Sequence, residues 1–309
     1  MQQISKTITD PNKLLQLLNL KDRQILNGGI NNYKRFPLRV PLSFFYRMKK
    51  GDPLDPLLLQ VLTVKAELET HLGFSVDPNK EHNNKIPGLL HKYHNRVLLL
   101  VKNSCAVNCR YCFRRYFPYR NNRINKSNWI AAINYIKNNI KIDEVILSGG
   151  DPLMAKDYEL SWLINKIENI LHIKRLRIHT RLPVVIPERI TDTLCEIFSC
   201  SRLQIIMVTH INHANEINDL LIIAMQKLKR SGVSLFNQSV LLRQINDNFH
   251  DLLNLSNALF DAGILPYYLH LLDKVNGAAH FLVTNAEAQQ LIKLLLSKVS
   301  GYLVPKLVK

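Results

Sequence analysis

Residues 97–115 read VLLLVKNSCAVNCRYCFRR, an apolar run followed at once by Cys105, Cys109 and Cys112 in a CxxxCxxC spacing. The run has the length and composition of a buried strand, so the cysteines fall on the loop leaving its C-terminal end. Three thiolates this close in sequence can serve one metal centre. Tetrahedral zinc ordinarily takes paired CxxC units or a Cys/His mixture, but no second CxxC is present and the next histidine is His172. Cysteine thiolates also hold iron–sulfur cubanes, and three of them leave one iron open for a ligand that is not protein. A third reading packs the cysteines as small hydrophobes, against the polar character of the loop. Five cysteines and an N-terminus, MQQISKTITDPNK, without an apolar signal segment do not make a disulfide framework. They predict a reducing, cytoplasmic location.

Outward from this stretch the chain alternates. Strands are expected at residues 97–101, 144–148, 176–180, 204–210, 235–240 and 266–272, with helices between them, as at 128–139 and 214–230. Such alternation predicts parallel βαβ units in an α/β fold. Residues 96–275 form this core, 1–95 read as a mostly helical N-terminal extension, and 276–309 read as a C-terminal helix and tail. Within the extension, Asp10 and Pro11 open a helix to Leu18, residues 56–73 read as an amphipathic helix closed by Gly73, and 79–94 read as a loop. Cys195 and Cys200 sit on an expected helix and carry no metal pattern.

No apolar run reaches the ~18 residues of a membrane span. The charge, 41 Lys and Arg against 24 Asp and Glu for a net +17, raises the question of a polyanionic partner. The basic residues are scattered, and no recognised nucleic-acid motif accompanies them. An RNA-binding metalloprotein is therefore the alternative of a different class, resting on net charge alone.

In barrels of parallel strands, sites gather at the C-terminal strand ends. After the second expected strand comes Ser148-Gly149-Gly150-Asp151, where paired glycines admit close approach and the aspartate adds charge, or where the chain simply turns. Arg114, two residues past Cys112, has the fork geometry for a carboxylate. With Arg115 beside it, one of the two is expected to point inward. His210 ends the fourth strand, either capping a polar network or meeting a cofactor. Gln238 sits on the fifth strand, and an amide facing into a barrel needs hydrogen-bond partners. Asp273 ends the last strand, as a ligand group or as a partner of Lys274.

CxxxCxxC after a strand resembles the cluster motif of the radical S-adenosylmethionine (SAM) enzymes. The segments CRYCFRR, LSGGDPL, THINHANEI, NQSVLLRQIND, LPYYLHLLD and SGYLVP narrow the resemblance to the lysine 2,3-aminomutase family, from about residue 20 onward. The similarity is greatest to the branch that makes (R)-β-lysine for elongation factor P. It implies a partial (β/α)6 barrel, a [4Fe–4S] cluster on Cys105, Cys109 and Cys112, and SAM on its open iron. Gly149, Gly150 and Asp151 match the motif for the SAM amino group, with His210 and Gln238 also on the cofactor side. Arg114 matches the residue that binds the substrate carboxylate, and Asp273 the one that holds the distal amine of lysine. Arg96 matches a contact to the phosphate of pyridoxal phosphate (PLP), the second implied cofactor. L-lysine, a cellular reductant and the elongation factor P modification system are the implied partners. The family's PLP-anchoring lysine lies in a Gly-rich segment beyond SGYxVP; Lys306 and Lys309 stand too near that motif to match it, so no anchoring residue is assigned.

Overall fold

The computed structural model describes residues 6–20, 36–82, 84–119, 122 and 125–309. Its centre is one sheet of eight strands in sequential order: β1 (Leu89–Tyr93), β2 (Arg96–Lys102), β3 (Glu144–Gly149), β4 (Arg175–Thr180), β5 (Gln204–His210), β6 (Ser234–Val240), β7 (Leu265–His270) and β8 (Lys306–Val308). β1 pairs with β2 antiparallel, and every later neighbour is parallel. No pairing among the described residues joins β8 to β1, so the curved sheet is a partial barrel with an open side.

The six expected strands are all present, and two more flank them. β1 lies in the stretch read as a loop. Its burial alternates poorly because it is an edge strand whose last three residues, His91 to Tyr93, are exposed. β8 lies in the stretch read as a tail, and at three residues it is too short to show a period. The expected helix over 56–73 breaks instead into Pro56–Leu59 and a 3-10 turn, Lys65–Leu68. Every residue from 57 to 64 is buried, so this segment is enclosed on all sides and has no solvent face for a helical stripe to spare.

The helices that cover the sheet begin where their sequences provide caps. Before them, α1 (Pro11–Leu17) starts as expected, with the Asp10 carboxylate accepting from Asn12 N at 2.9 Å. Asn125, Thr191, Asn218, Asn248 and Thr284 then cap α2 (Lys126–Lys137), α4 (Asp192–Ser199), α5 (Asp219–Arg230), α6 (Phe249–Asp261) and α7 (Asn285–Lys298). α3 (Asp157–Glu168) opens on Lys156 with Glu159 reaching back to its N–H. Apolar helix faces meet the outward side of the strands in one large core, into which Trp129, Ile136, Leu163, Met225 and Leu228 project. The inward side is more polar. On β4, Leu176, Ile178 and Thr180 are buried, whereas Arg175, Arg177 and His179 are half-buried on the opposite face. Among the described residues no helix is long and apolar enough to cross a membrane.

Candidate active site

The cysteine loop leaves β2 and is moulded by the N-terminal segment. Arg110 N–H donates to Gln60 O at 2.9 Å and Asn108 N–H to Arg39 O at 3.2 Å. Behind the loop, the carboxylate of Glu67 receives the guanidinium groups of both Arg110 and Arg115, and all three side chains are essentially inaccessible to water. Both members of the Arg114–Arg115 pair are therefore buried, facing opposite ways. Arg115 also donates to Gly277 O, and Arg114 turns toward the barrel.

Cys105, Cys109 and Cys112 are all free and half-buried. Burial pushes the Cys105 thiol well up, helped by Asp151 and the two neighbouring cysteines. Burial and Cys109 push Cys112 up to about 11. Raised in this way, the Cys105 and Cys112 thiols give up their protons when a metal cation is there to stabilise the thiolates. Among the described residues, no three His, Cys, Asp or Glu side chains converge on a single metal ion. A cubane asks for no such convergence, since it places one thiolate on each of three irons. The arrangement fits the cluster.

β3 carries Gly149 and Gly150 to the root of this loop. A Cβ on Gly149, which has φ +123°, would stand 2.5 Å from Lys102 O, and one on Gly150 would stand 2.5 Å from Ser104 O. The close approach that these glycines allow is between two stretches of backbone, fastened by Gly150 N to Lys102 O at 2.6 Å and Asp151 N to Ser104 O at 3.0 Å. Asp151 is buried and turned into the protein. One carboxylate oxygen accepts from Leu153 N (3.0 Å) and Thr180 Oγ1 (2.7 Å), and the other from Arg181 N (2.8 Å) and Leu182 N (2.9 Å). It ties the end of β3 to the end of β4.

Across the mouth, Arg114 Nε donates to Glu81 at 2.8 Å and Nη1 to Ser148 Oγ at 2.9 Å, while Nη2 makes no hydrogen bond to a described residue. Glu81 also takes Lys92 Nζ at 3.3 Å. Its segment is laced to the chain beside Asp273 through Ser75 N to Lys274 O (3.0 Å) and Asn276 N to Ser75 O (2.9 Å). Asp273 shares this space: burial raises its carboxyl, Asn79 opposes the shift, and Glu81, Arg114 and Lys92 all act on it. No ion pair to Lys274 or any other described residue engages Asp273, and the Arg114 guanidinium acts on it at longer range.

Deeper in, the imidazoles of His179, His210 and His270 lie near enough for a charge on one to act on another. Burial lowers all three, that of His179 to about 3, so the rings stay neutral. His210 Nε2 pairs with the Tyr111 hydroxyl at 2.9 Å and the two rings stack. Gln238 lies beside His210 and Tyr268 in register, and its amide has no hydrogen bond to a described residue. Arg96 is elsewhere. It opens β2 at the N-terminal edge of the barrel, stacked 3.8 Å over the Tyr93 ring, with Asn95 as a distant partner at 3.4 Å. Nearby, Arg175 and Arg177 are paired with Asp143 and Glu144. Arg96 has no carboxylate among the described residues and remains available to an anion.

Sequence reasoning did not find Glu81, Arg181, Glu216, Gln60 or Glu67. Arg181 stands after His179-Thr180 at a strand end, which was a usable signal. Glu81 lies on a stretch without periodicity, and Gln60, Glu67 and Glu216 lie on stretches read as helices whose polar residues carried no further signal.

The radical SAM superfamily model matches residues 99–256. The L-lysine 2,3-aminomutase of Escherichia coli (strain K12) is 60% identical over 309 residues, covering 100% of this chain and 90% of that protein. That of Haemophilus influenzae is 55% identical over 307 residues, covering 99% and 90%. A radical SAM methyltransferase from Sphaerobacter thermophilus shares the fold, with a TM-score of 0.52 at 14% identity over 71% of this chain and 68% of that one. The superfamily implies a [4Fe–4S] cluster and SAM, which the cysteine loop fits. The chain belongs to the radical SAM superfamily and, within it, to the L-lysine 2,3-aminomutase family of isomerases.

Proposed function

We propose that this protein moves the amino group of L-lysine from carbon 2 to carbon 3, giving (R)-β-lysine. The observation that carries the reading is the nearness of Arg114 and Asp273, whose charges act on one another although they form no ion pair. A guanidinium whose Nη2 edge makes no hydrogen bond to a described residue receives the substrate carboxylate. A carboxylate without an ion partner receives the distal ammonium. The two charges fix both ends of an extended amino acid and so present its middle carbons to the cluster side of the cavity.

When bound, the cluster and SAM supply a 5′-deoxyadenosyl radical, and PLP supplies an aldehyde for the migrating amine. The residues toward these groups are Cys105, Cys109 and Cys112 for the cluster, and Gly149, Gly150, Asp151, His210 and Gln238 for the SAM side. Asp151 acts there by holding the ends of β3 and β4 together. Arg96, which has no carboxylate partner among the described residues, is assigned to the PLP phosphate. The neutral histidines line the space between without adding charge. On the sequence resemblance, a cellular reductant feeds the cluster and the product passes to elongation factor P modification.

Anaerobic reconstitution with iron, sulfide, SAM, PLP, dithionite and L-lysine, followed by chiral chromatography, tests this directly. (R)-β-lysine is expected. SAM cleavage to deoxyadenosine without β-lysine would sink the mutase reading and leave the radical chemistry standing. Borohydride reduction and mass spectrometry of the same sample report whether PLP is held covalently.

A further inference from the structure

Arg181 follows β4 directly and is buried in the wall behind the cysteine loop. Nη2 donates to Glu216 Oε2 at 2.9 Å and to Gln60 Oε1 at 2.6 Å. Nη1 donates to the Tyr111 hydroxyl at 2.5 Å and to Cys109 Sγ at 2.7 Å. The rings of Phe44 and Tyr111 stand 5.4 and 5.8 Å from the guanidinium carbon. Glu216 is itself held by Gln60 Nε2 at 3.0 Å and by Asn212 N at 2.9 Å. Three oxygen acceptors therefore fix the plane of the fork, and the contact left over points at sulfur. The Tyr111 hydroxyl also hydrogen-bonds Cys109, and Arg181 is the charged side chain that donates to this sulfur.

We infer that Arg181 is a positioning residue for electron transfer: its Nη1–H donates to the Cys109 thiolate and raises the reduction potential of the [4Fe–4S] cluster. Hydrogen bonds to ligand sulfur and burial are two of the levers that set such potentials. An electron added to the cluster increases the negative charge on its sulfurs. A fixed donor at one sulfur then stabilises the reduced form more than the oxidised form, and reduction becomes easier. The bond is charge-assisted and shielded from water, which strengthens it. Glu216 balances the cation at longer range, so what reaches the cluster is chiefly the short contact at Cys109. A lysine in this place would keep the charge but could not span Glu216, Gln60, Tyr111 and Sγ together.

The test compares the wild type with Arg181→Lys and Arg181→Gln, each reconstituted anaerobically to full iron and sulfide without SAM. The midpoint potential is read by EPR-monitored redox titration. Both variants are expected to titrate more negatively, with the reduced-to-oxidised ratio at a fixed potential falling by roughly tenfold, about 59 mV for one electron. Unchanged midpoints in variants that carry the full cluster overturn the inference. If neither variant assembles a cluster, wild-type protein carrying 15N only in its arginine guanidinium groups, so that the Arg114 backbone N–H beside Cys112 stays silent, decides the matter by pulsed EPR of the reduced state. A 15N coupling is expected there, and its absence overturns the inference.

Discussion

Glu81 and Arg114 lie 33 positions apart and meet at the mouth of the barrel, the carboxylate accepting from Nε at 2.8 Å. The pair couples the N-terminal extension to the residue assigned to the substrate. Glu81 holds one edge of the guanidinium and so sets the direction in which Nη2 points. Glu81→Gln is expected to raise KM for lysine roughly tenfold, about 1.4 kcal/mol, with kcat changed by less than about threefold. Steady-state kinetics at saturating SAM measure both. An unchanged KM would show that Arg114 needs no orienting partner.

The two assigned ends of the substrate make a second, separable prediction. Asp273→Asn removes the charge that faces the distal ammonium, while leaving Arg114 in place. Loss of a charge-assisted contact of about 1.5–3 kcal/mol predicts a tenfold or greater loss in kcat/KM for lysine. Norleucine, which has no distal amine, then competes equally well with lysine in the variant and poorly in the wild type. Inhibition constants for the two enzymes provide the comparison.

Alanine at Cys105, Cys109 or Cys112 leaves one iron without its thiolate. Each variant is expected to lose the brown cluster absorption after reconstitution and to release deoxyadenosine only at background. Normal deoxyadenosine yield in any one of them removes that cysteine from the cluster.

Glu67 sits between two buried arginines, so removing its charge strands two cations. Glu67→Gln is expected to cost about 3–5 kcal/mol of stability in the metal-free protein, read as a lower denaturant midpoint. It also frees Arg110 inside the cysteine loop, and iron content after reconstitution should fall with it.

The neutral histidines give a pH signature. His179 takes up a proton near 6.5 when unfolded, but only near about 3 in its buried place. Between those values the unfolded chain binds more protons, so stability is full above pH 6.5 and declines as the pH falls toward 3. His179→Gln is expected to make that decline shallower by up to about 1.4 kcal/mol per pH unit. Denaturant titrations at pH 7 and pH 5 on both proteins supply the slopes.

The cluster loop and the six central strands were legible because each announces itself locally: three cysteines in eight residues, and short apolar runs alternating with helical stretches. Arg181 was not legible, since its meaning depends on Gln60, Tyr111 and Glu216, respectively 121, 70 and 35 positions away. Glu81 was hidden for the same reason, inside a polar stretch without periodicity. β1 was hidden by the exposed His91 and Lys92 of an edge strand, and the enclosed run from 57 to 64 imitated one face of a helix.

The contact between Gly149–Gly150 and the Lys102–Ser104 backbone imposes an order on maturation. The cysteine loop takes its shape against β3, and β3 reaches it only after the crossover through α2 has folded. A nascent chain that has emerged only as far as Cys112 thus has the ligands without the mould. Loading of iron and sulfide belongs after formation of this first βαβ unit, and a side chain at either glycine would be felt as failed cofactor delivery before it was felt as lost catalysis.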